Sequence, residues 1–177
     1  MDEPAGITVR DRAEPSAAEP LAFEFEVFFE REHGGLYGAL WLITRNRHEA
    51  EEIMQDAFLR LWERWPSVAA MDDPTGYLYR TAMNVFRSRR RRAAVALRKV
   101  ARLLPPDDGL AAVESREAVV RALQPLTPRQ RAAVVLMDVL GQSSEEAGRS
   151  LGISASTVRV LAARGRAVLK ERMGDLR

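Results

Sequence analysis

Tyr77, Tyr79 and Phe86 stand just ahead of Arg87, Arg89, Arg90, Arg91 and Arg92 on one continuous run of sequence. Aromatic rings stack on unpaired bases at about 1–3 kcal/mol each while guanidinium groups hold the phosphates, so this run suits separated nucleic-acid strands. Core packing is the competing use of such rings and is expected for at least one of the three. A second run, from Ser143 to Arg172, reads as two helices about a tight turn. Ser143 and Glu146 have the spacing of a capping box, Gly152 supplies the turn, and Ser154 caps the second helix. That helix carries an apolar stripe of Val158, Leu161, Ala162, Val168 and Leu169 beside Arg159, Arg164, Arg166, Lys170 and Arg172. The pattern is that of a helix-turn-helix with a basic groove-reading helix, against the alternative of a surface hairpin with solvated arginines.

A third group is polar and sits on an amphipathic helix expected at about His48 to Trp65 with Asn46 as its cap. Ala50, Ile53, Ala57, Leu61 and Trp65 form its apolar stripe, with Met54, Phe58 and Trp62 beside it. Its other face shows Glu51, Glu52, Gln55, Asp56, Arg60 and Glu63, too many polar groups for burial and suited either to solvent or to docking another protein. Catalytic chemistry is not indicated. There is no cysteine, the two histidines lack matching partners, and no glycine-rich phosphate loop or nucleophile-base pairing occurs. No metal or cofactor is expected, and the chain is not read as an enzyme.

The elements that must position these groups are all helical. A net charge of +2 hides strong segregation. Residues 1–32 carry nine acids against Arg10, Arg12 and Arg31, whereas residues 87–102 carry eight bases and no acid. Residues 1–20, with Pro4, Pro15 and Pro20, are expected to form a flexible acidic tail. Phe25, Phe28, Phe29, Leu36, Leu40 and Ile43 recur at helical spacing, with Gly34-Gly35 expected to break the run into two helices. Residues 65–73 read as a loop, and Asp73-Pro74 opens a long helix that runs into the arginines. Proline and glycine at 105, 106 and 109 mark a boundary. Val113 to Leu123 then resumes a helix, and Thr127-Pro128 caps another that Gly141 closes. The expected fold is all-α: a helical domain over 21–92, a linker over 93–111, and a helix-turn-helix domain over 112–177. No basic-then-apolar leader and no apolar run near the roughly 18 residues of a membrane span occur, which predicts a cytoplasmic protein without membrane insertion.

Taken together, these parts resemble the bacterial RNA polymerase sigma factors of the extracytoplasmic-function type. AEEIMQDAFLRLW (Ala50 to Trp62) looks like region 2.2, PTGYLYRTAMNVFRSRRRR (Pro74 to Arg92) like regions 2.3 and 2.4, and LTPRQRAAVVLMDVLGQSSEEAGRSLGISASTVR like region 4. The resemblance implies a transcription initiation factor that binds core RNA polymerase and directs it to promoter DNA. By it, Glu51, Glu52, Gln55 and Asp56 contact the polymerase clamp. Tyr77, Asn84, Arg87, Arg89, Arg90, Arg91 and Arg92 read and open the minus-ten element, with the 65–73 loop accepting a flipped base. Ser154, Ser156, Thr157, Arg159, Arg164 and Arg166 read the minus-thirty-five element. An anti-sigma factor is implied as a further partner. The alternative is a helix-turn-helix regulator that binds duplex DNA without polymerase, against which the aromatic-to-arginine run argues.

The chain departs from the family pattern at several positions. Glu146-Ala147-Gly148 stands where Glu-Ile-Ala is usual, implying a softened motif helix. Val160-Leu161 stands where Ser-Arg is usual, implying that one DNA contact is missing. Ser88 replaces a common Asp, and Tyr77 a common Trp.

Overall fold

A computed structural model describes residues 18–99 and 114–174. In chain order the helices are α1 (Ala18–Thr44), α2 (Arg47–Trp62), α3 (Trp65–Ala69), α4 (Pro74–Lys99), α5 (Glu114–Ala122), α6 (Pro128–Val134), α7 (Ser144–Leu151) and α8 (Ala155–Gly174). A π-helical turn, Val135–Val139, continues α6.

The first domain is α1 to α4. Asn46 caps α2 as its sequence position predicts, its side chain accepting the Glu49 amide at 2.8 Å. Arg45, at φ 64°, makes the sharp turn between α1 and α2, braced by the Thr44 hydroxyl donating to the Leu40 carbonyl at 2.9 Å. Leu36, Leu40, Ile43, Ile53, Leu61, Leu78 and Met83 are fully buried between α1, α2 and α4. Phe25 lies edge-on to Trp62 and Trp65 at 4.9 and 5.2 Å, extending that core with aromatic surface.

Three sequence expectations are corrected here. Gly34-Gly35 does not break α1, which is continuous. Each mid-helix glycine costs about 1 kcal/mol, less than burying Leu36 and Leu40 on one rigid helix returns. Residues 65–69 are helical rather than part of a loop, because Trp65 and Val68 drop into the core and pull one turn of chain around them. Residues 93–99, the opening of the expected 93–111 linker, are helical rather than irregular, since α4 runs on through Ala- and Leu-rich sequence to Lys99. Residues 1–17 and 100–113, which hold most of the expected tail and linker together with Arg102, lie outside the described residues.

The second domain is α5 to α8. Thr127 and Gln130 form a capping box at α6, and Ser143 and Glu146 form the expected one at α7, the Glu146 carboxylate accepting the Ser143 amide at 2.7 Å. Gly152 ends α7 at φ 63°, a left-handed conformation open to glycine at little cost. Gly148, expected to soften α7, lets the motif close tightly. It is buried, and a Cβ there would stand 2.9 Å from the Ile153 carbonyl.

The two domains pack together, α7 against α4 and α6 against α1. Arg131, only 4% exposed, donates to the carbonyls of Ile43 at 2.8 Å, Leu126 at 2.8 Å and Leu123 at 3.3 Å, thereby joining α6 to the end of α1. Burial, and then the neighbouring Arg45 and Arg90 cations, push its guanidinium down to about 10, so it stays charged at neutral pH. Arg47 reaches Glu117 of α5 at 3.0 Å. Among the described residues, no helix is long and apolar enough to cross a membrane and no group of side chains could hold a metal ion.

Candidate nucleic-acid interfaces

Helix α4 sorts its arginines onto different sides. Successive steps of three and four residues put Tyr77, Asn84, Arg87 and Arg91 on one face. Arg80 shares that face and was not among the residues singled out from sequence; its position three after Tyr77 and four before Asn84 is the signal that marks it. Tyr77 is half-buried with the Arg80 guanidinium 5.5 Å from its ring centre. Tyr79 and Phe86 are core residues, and burial pushes the Tyr79 phenol up to about 12. Of the three rings, only Tyr77 remains for a base.

Arg87 is held by its neighbours. It donates to the Asn84 side-chain oxygen and to the Leu151 carbonyl at the end of α7, so the second domain covers part of this face. Between the domains runs a groove of about 330 Å³ lined by Tyr79, Arg80, Gln142, Arg149 and Ser150.

Arg89 turns the other way. Its guanidinium bonds to Glu52 and, at 2.8 Å, to Asp56 on α2, contacts that raise its pKa. Two residues expected to face polymerase and one expected to face DNA are therefore paired with each other. Arg90, Arg92 and Glu49 line an adjoining cleft of about 540 Å³ with Asp56 and Phe86. Burial holds the Glu49 carboxyl above its usual range, opposed by Arg90 and Arg89. Arg92 donates to the Ser88 hydroxyl at 3.2 Å.

On α2 the outward groups are thus Glu51 and Gln55, joined by Leu59 and Trp62, which are 59% and 45% exposed. From sequence, Trp62 stands beside the apolar stripe and Leu59 is not singled out. Leu59 stands four residues after Gln55 and Trp62 three after Leu59, which places them on the same face.

The second site is α8. Ser154 accepts the Thr157 amide at 3.2 Å, and its hydroxyl lies 2.9 and 2.8 Å from those of Ser156 and Thr157, so these groups form one small polar cluster at the helix start. Arg159 reaches back to Ser144 at 2.8 Å and Glu145 at 3.4 Å. Arg166 forks onto Asp138 of the π-helical turn with two bonds of 2.9 Å, which raises its pKa. Both pairs are exposed and yield readily to a phosphate. Arg164 is exposed and has no partner among the described residues. Val158, Ala162 and Gly165 face the core, so the opposite side of α8 is open along its length.

Comparison with known proteins matches these two domains separately. The Sigma-70 region 2 family matches residues 28–95, and the Sigma-70, region 4 family matches residues 116–169. ECF RNA polymerase sigma factor SigM of Mycobacterium tuberculosis is 35% identical over 173 residues, covering 93% of this chain and 88% of the relative. ECF RNA polymerase sigma factor SigE of Mycolicibacterium smegmatis is 33% identical over 186 residues, covering 96% of this chain and 68% of the relative. Two solved structures share the fold. The sigma factor RpoE in complex with the anti-sigma factor NepR, from Bartonella quintana, aligns at a TM-score of 0.74 and 19% identity, covering 85% of this chain and 97% of that one. CnrH in complex with the cytosolic domain of CnrY aligns at 0.62 and 23% identity, covering 90% and 95%.

Proposed function

This chain belongs to the extracytoplasmic-function group of the sigma-70 RNA polymerase sigma factors, and from that premise we propose how its two domains divide the work of directing core polymerase to promoters. The chemistry of RNA synthesis belongs to the polymerase, and this protein has no catalysis of its own. The first domain, taken as 21–92, meets polymerase through the outward side of α2: Glu51 and Gln55 at a polar edge, Leu59 and Trp62 as apolar anchors. Its α4 reads the separated minus-ten strand. Tyr77 stacks on a base, Asn84 bonds to a base edge, and Arg80, Arg87, Arg91 and Arg92 hold phosphates. The second domain, 112–177 beyond the 93–111 linker, sets α8 in the major groove of the minus-thirty-five duplex, with Ser156, Thr157 and Arg164 leading.

The observation that carries this reading is the placement of one cationic helix face on each domain, one headed by an aromatic ring and the other by a hydroxyl cluster. Strand opening needs a stacking platform, whereas groove reading needs a rigid helix with small polar groups at its start. Because Arg87 is tied to Leu151 in this form, full use of the α4 face requires α7 to move off it. One solved neighbour was captured with an anti-sigma factor, and a partner of that class, acting on this chain in the cytoplasm, is part of the proposal.

The test is transcription with reconstituted core polymerase and permanganate probing of opened thymines. Replacing Arg90, Arg91 and Arg92 by glutamate abolishes reactivity near the start site while polymerase binding persists. Undiminished opening by that variant overturns the assignment of α4.

A further inference from the structure

Val160 lies in the second turn of α8 and is 48% exposed, although valine is a poor choice for an open helical position. Its surroundings are ordered about it. At 100° per residue, Ser156, Val160, Ala163 and Ala167 fall in one narrow strip directly opposite the core-facing Val158, Ala162 and Gly165. Thr157 and Arg164 flank that strip on one side, and Arg159, Arg166 and Lys170 flank it on the other. The outward surface of α8 is therefore a ridge of small and apolar groups with a row of three cations along one side and Arg164 beside Thr157 on the other.

A helix seated in a major groove has phosphates along both walls and base edges on the floor. The cationic row and, across from it, Arg164 match the two walls, which leaves the ridge to meet the floor. Among the base-edge features presented there, every one is a hydrogen-bond donor or acceptor except the thymine 5-methyl group, the one apolar feature. Val160 carries no polar side-chain atom and projects from the middle of the ridge, near the helix start where base contacts are made.

We infer that Val160 is a specificity residue of the minus-thirty-five contact, its two methyl groups packing on the 5-methyl of one thymine and selecting T at that position. The inference rests on the proposed seating of α8 in duplex DNA and deepens it. Ala163 and Ala167 beside it are short enough to let the helix approach so closely. Burial of one methyl group corresponds to roughly fourfold in affinity, a modest preference confined to a single base pair.

Holoenzyme made from core polymerase and the full chain tests this with a random-sequence duplex pool upstream of a fixed minus-ten segment. The pool is amplified once with dTTP and once with dUTP, so that the two versions differ only in the thymine methyl groups. Bound duplexes are sequenced. The expected result is a minus-thirty-five motif in the dTTP pool with T favoured roughly fourfold at one position, that preference vanishing in the dUTP pool while the rest of the motif persists. Val160→Ala, which keeps the helix and leaves the core untouched, loses the same preference in the dTTP pool. A motif identical in both pools and for both proteins overturns the role of Val160 alone. Recovery of no upstream motif from either pool overturns the duplex-reading assignment of α8 itself, and Val160 with it.

Discussion

Replacing Arg131 by methionine removes the charged clasp at the domain interface while keeping most of its aliphatic volume. The consequence is calculable from its three bonds. Leu123 retains a partner, since its carbonyl also accepts the Leu126 amide at 3.2 Å. The carbonyls of Ile43 and Leu126 lose the donor that reaches them at 2.8 Å each. A buried polar group left bare costs about 1–3 kcal/mol, so the pair costs about 2–6 kcal/mol, with relief from burying a cation bringing the net toward the lower value. The Ile43 bond spans the two domains, so its loss falls on their coupling as well as on the second domain's own stability. Urea titration followed by tryptophan fluorescence and far-ultraviolet circular dichroism reads both effects. Trp41, Trp62 and Trp65 all lie in the first domain, so fluorescence reports that half while dichroism reports the whole. Wild type unfolds with coincident transitions, and Arg131→Met unfolds with the dichroism midpoint preceding the fluorescence midpoint. Coincident transitions with a stability loss under about 0.5 kcal/mol refute the reasoning, because a solvated surface arginine behaves that way.

Two further outcomes follow from the second domain. The Glu146 carboxyl is held below its usual range, first by the Ser143 amide and then by the Ser143 hydroxyl. A depressed folded value means that this contribution is present above the unfolded carboxylate range and is lost as pH falls through the folded value, so wild type sheds more stability than Glu146→Gln between pH 6 and about pH 3. Parallel urea midpoints for the two proteins across that range rule the linkage out. Gly148→Ala gains about 1 kcal/mol of helix propensity but drives a Cβ to 2.9 Å from the Ile153 carbonyl. Backbone offers no easy retreat, so a net loss of about 1–2 kcal/mol is expected in thermal unfolding, and a raised melting temperature contradicts the tight closure of the motif.

Local rules carried the sequence reading a long way. Asn46, Thr127, Ser143 and Gly152 sit at helix ends for reasons that need no more than three or four neighbouring residues, and each is found in that role. Helical periodicity likewise placed α2, α4 and α8. The departures share a cause in tertiary packing. Gly34-Gly35 reads as a break until Leu36 and Leu40 are seen buried, and Trp65 reads as the edge of a loop until its ring is seen in the core. Arg131 looks like any base in a polar helix start, and only the fold brings the Ile43 carbonyl to it from 88 residues away. The candidate sites follow the same division. Arg164 and Thr157 lie open on the face that the helical period assigns them, whereas the union of Arg89 with Glu52 and Asp56 joins positions 37 and 33 residues apart and has no local signature.

That union also fixes what each helix leaves open. A cation already answered by two carboxylates offers little to a passing phosphate, so Arg89 is muted toward any polyanion while Glu52 and Asp56 stay in place. The same two carboxylates are withheld from a basic partner in turn, so the unclaimed polar edge of α2 is Glu51 and Gln55.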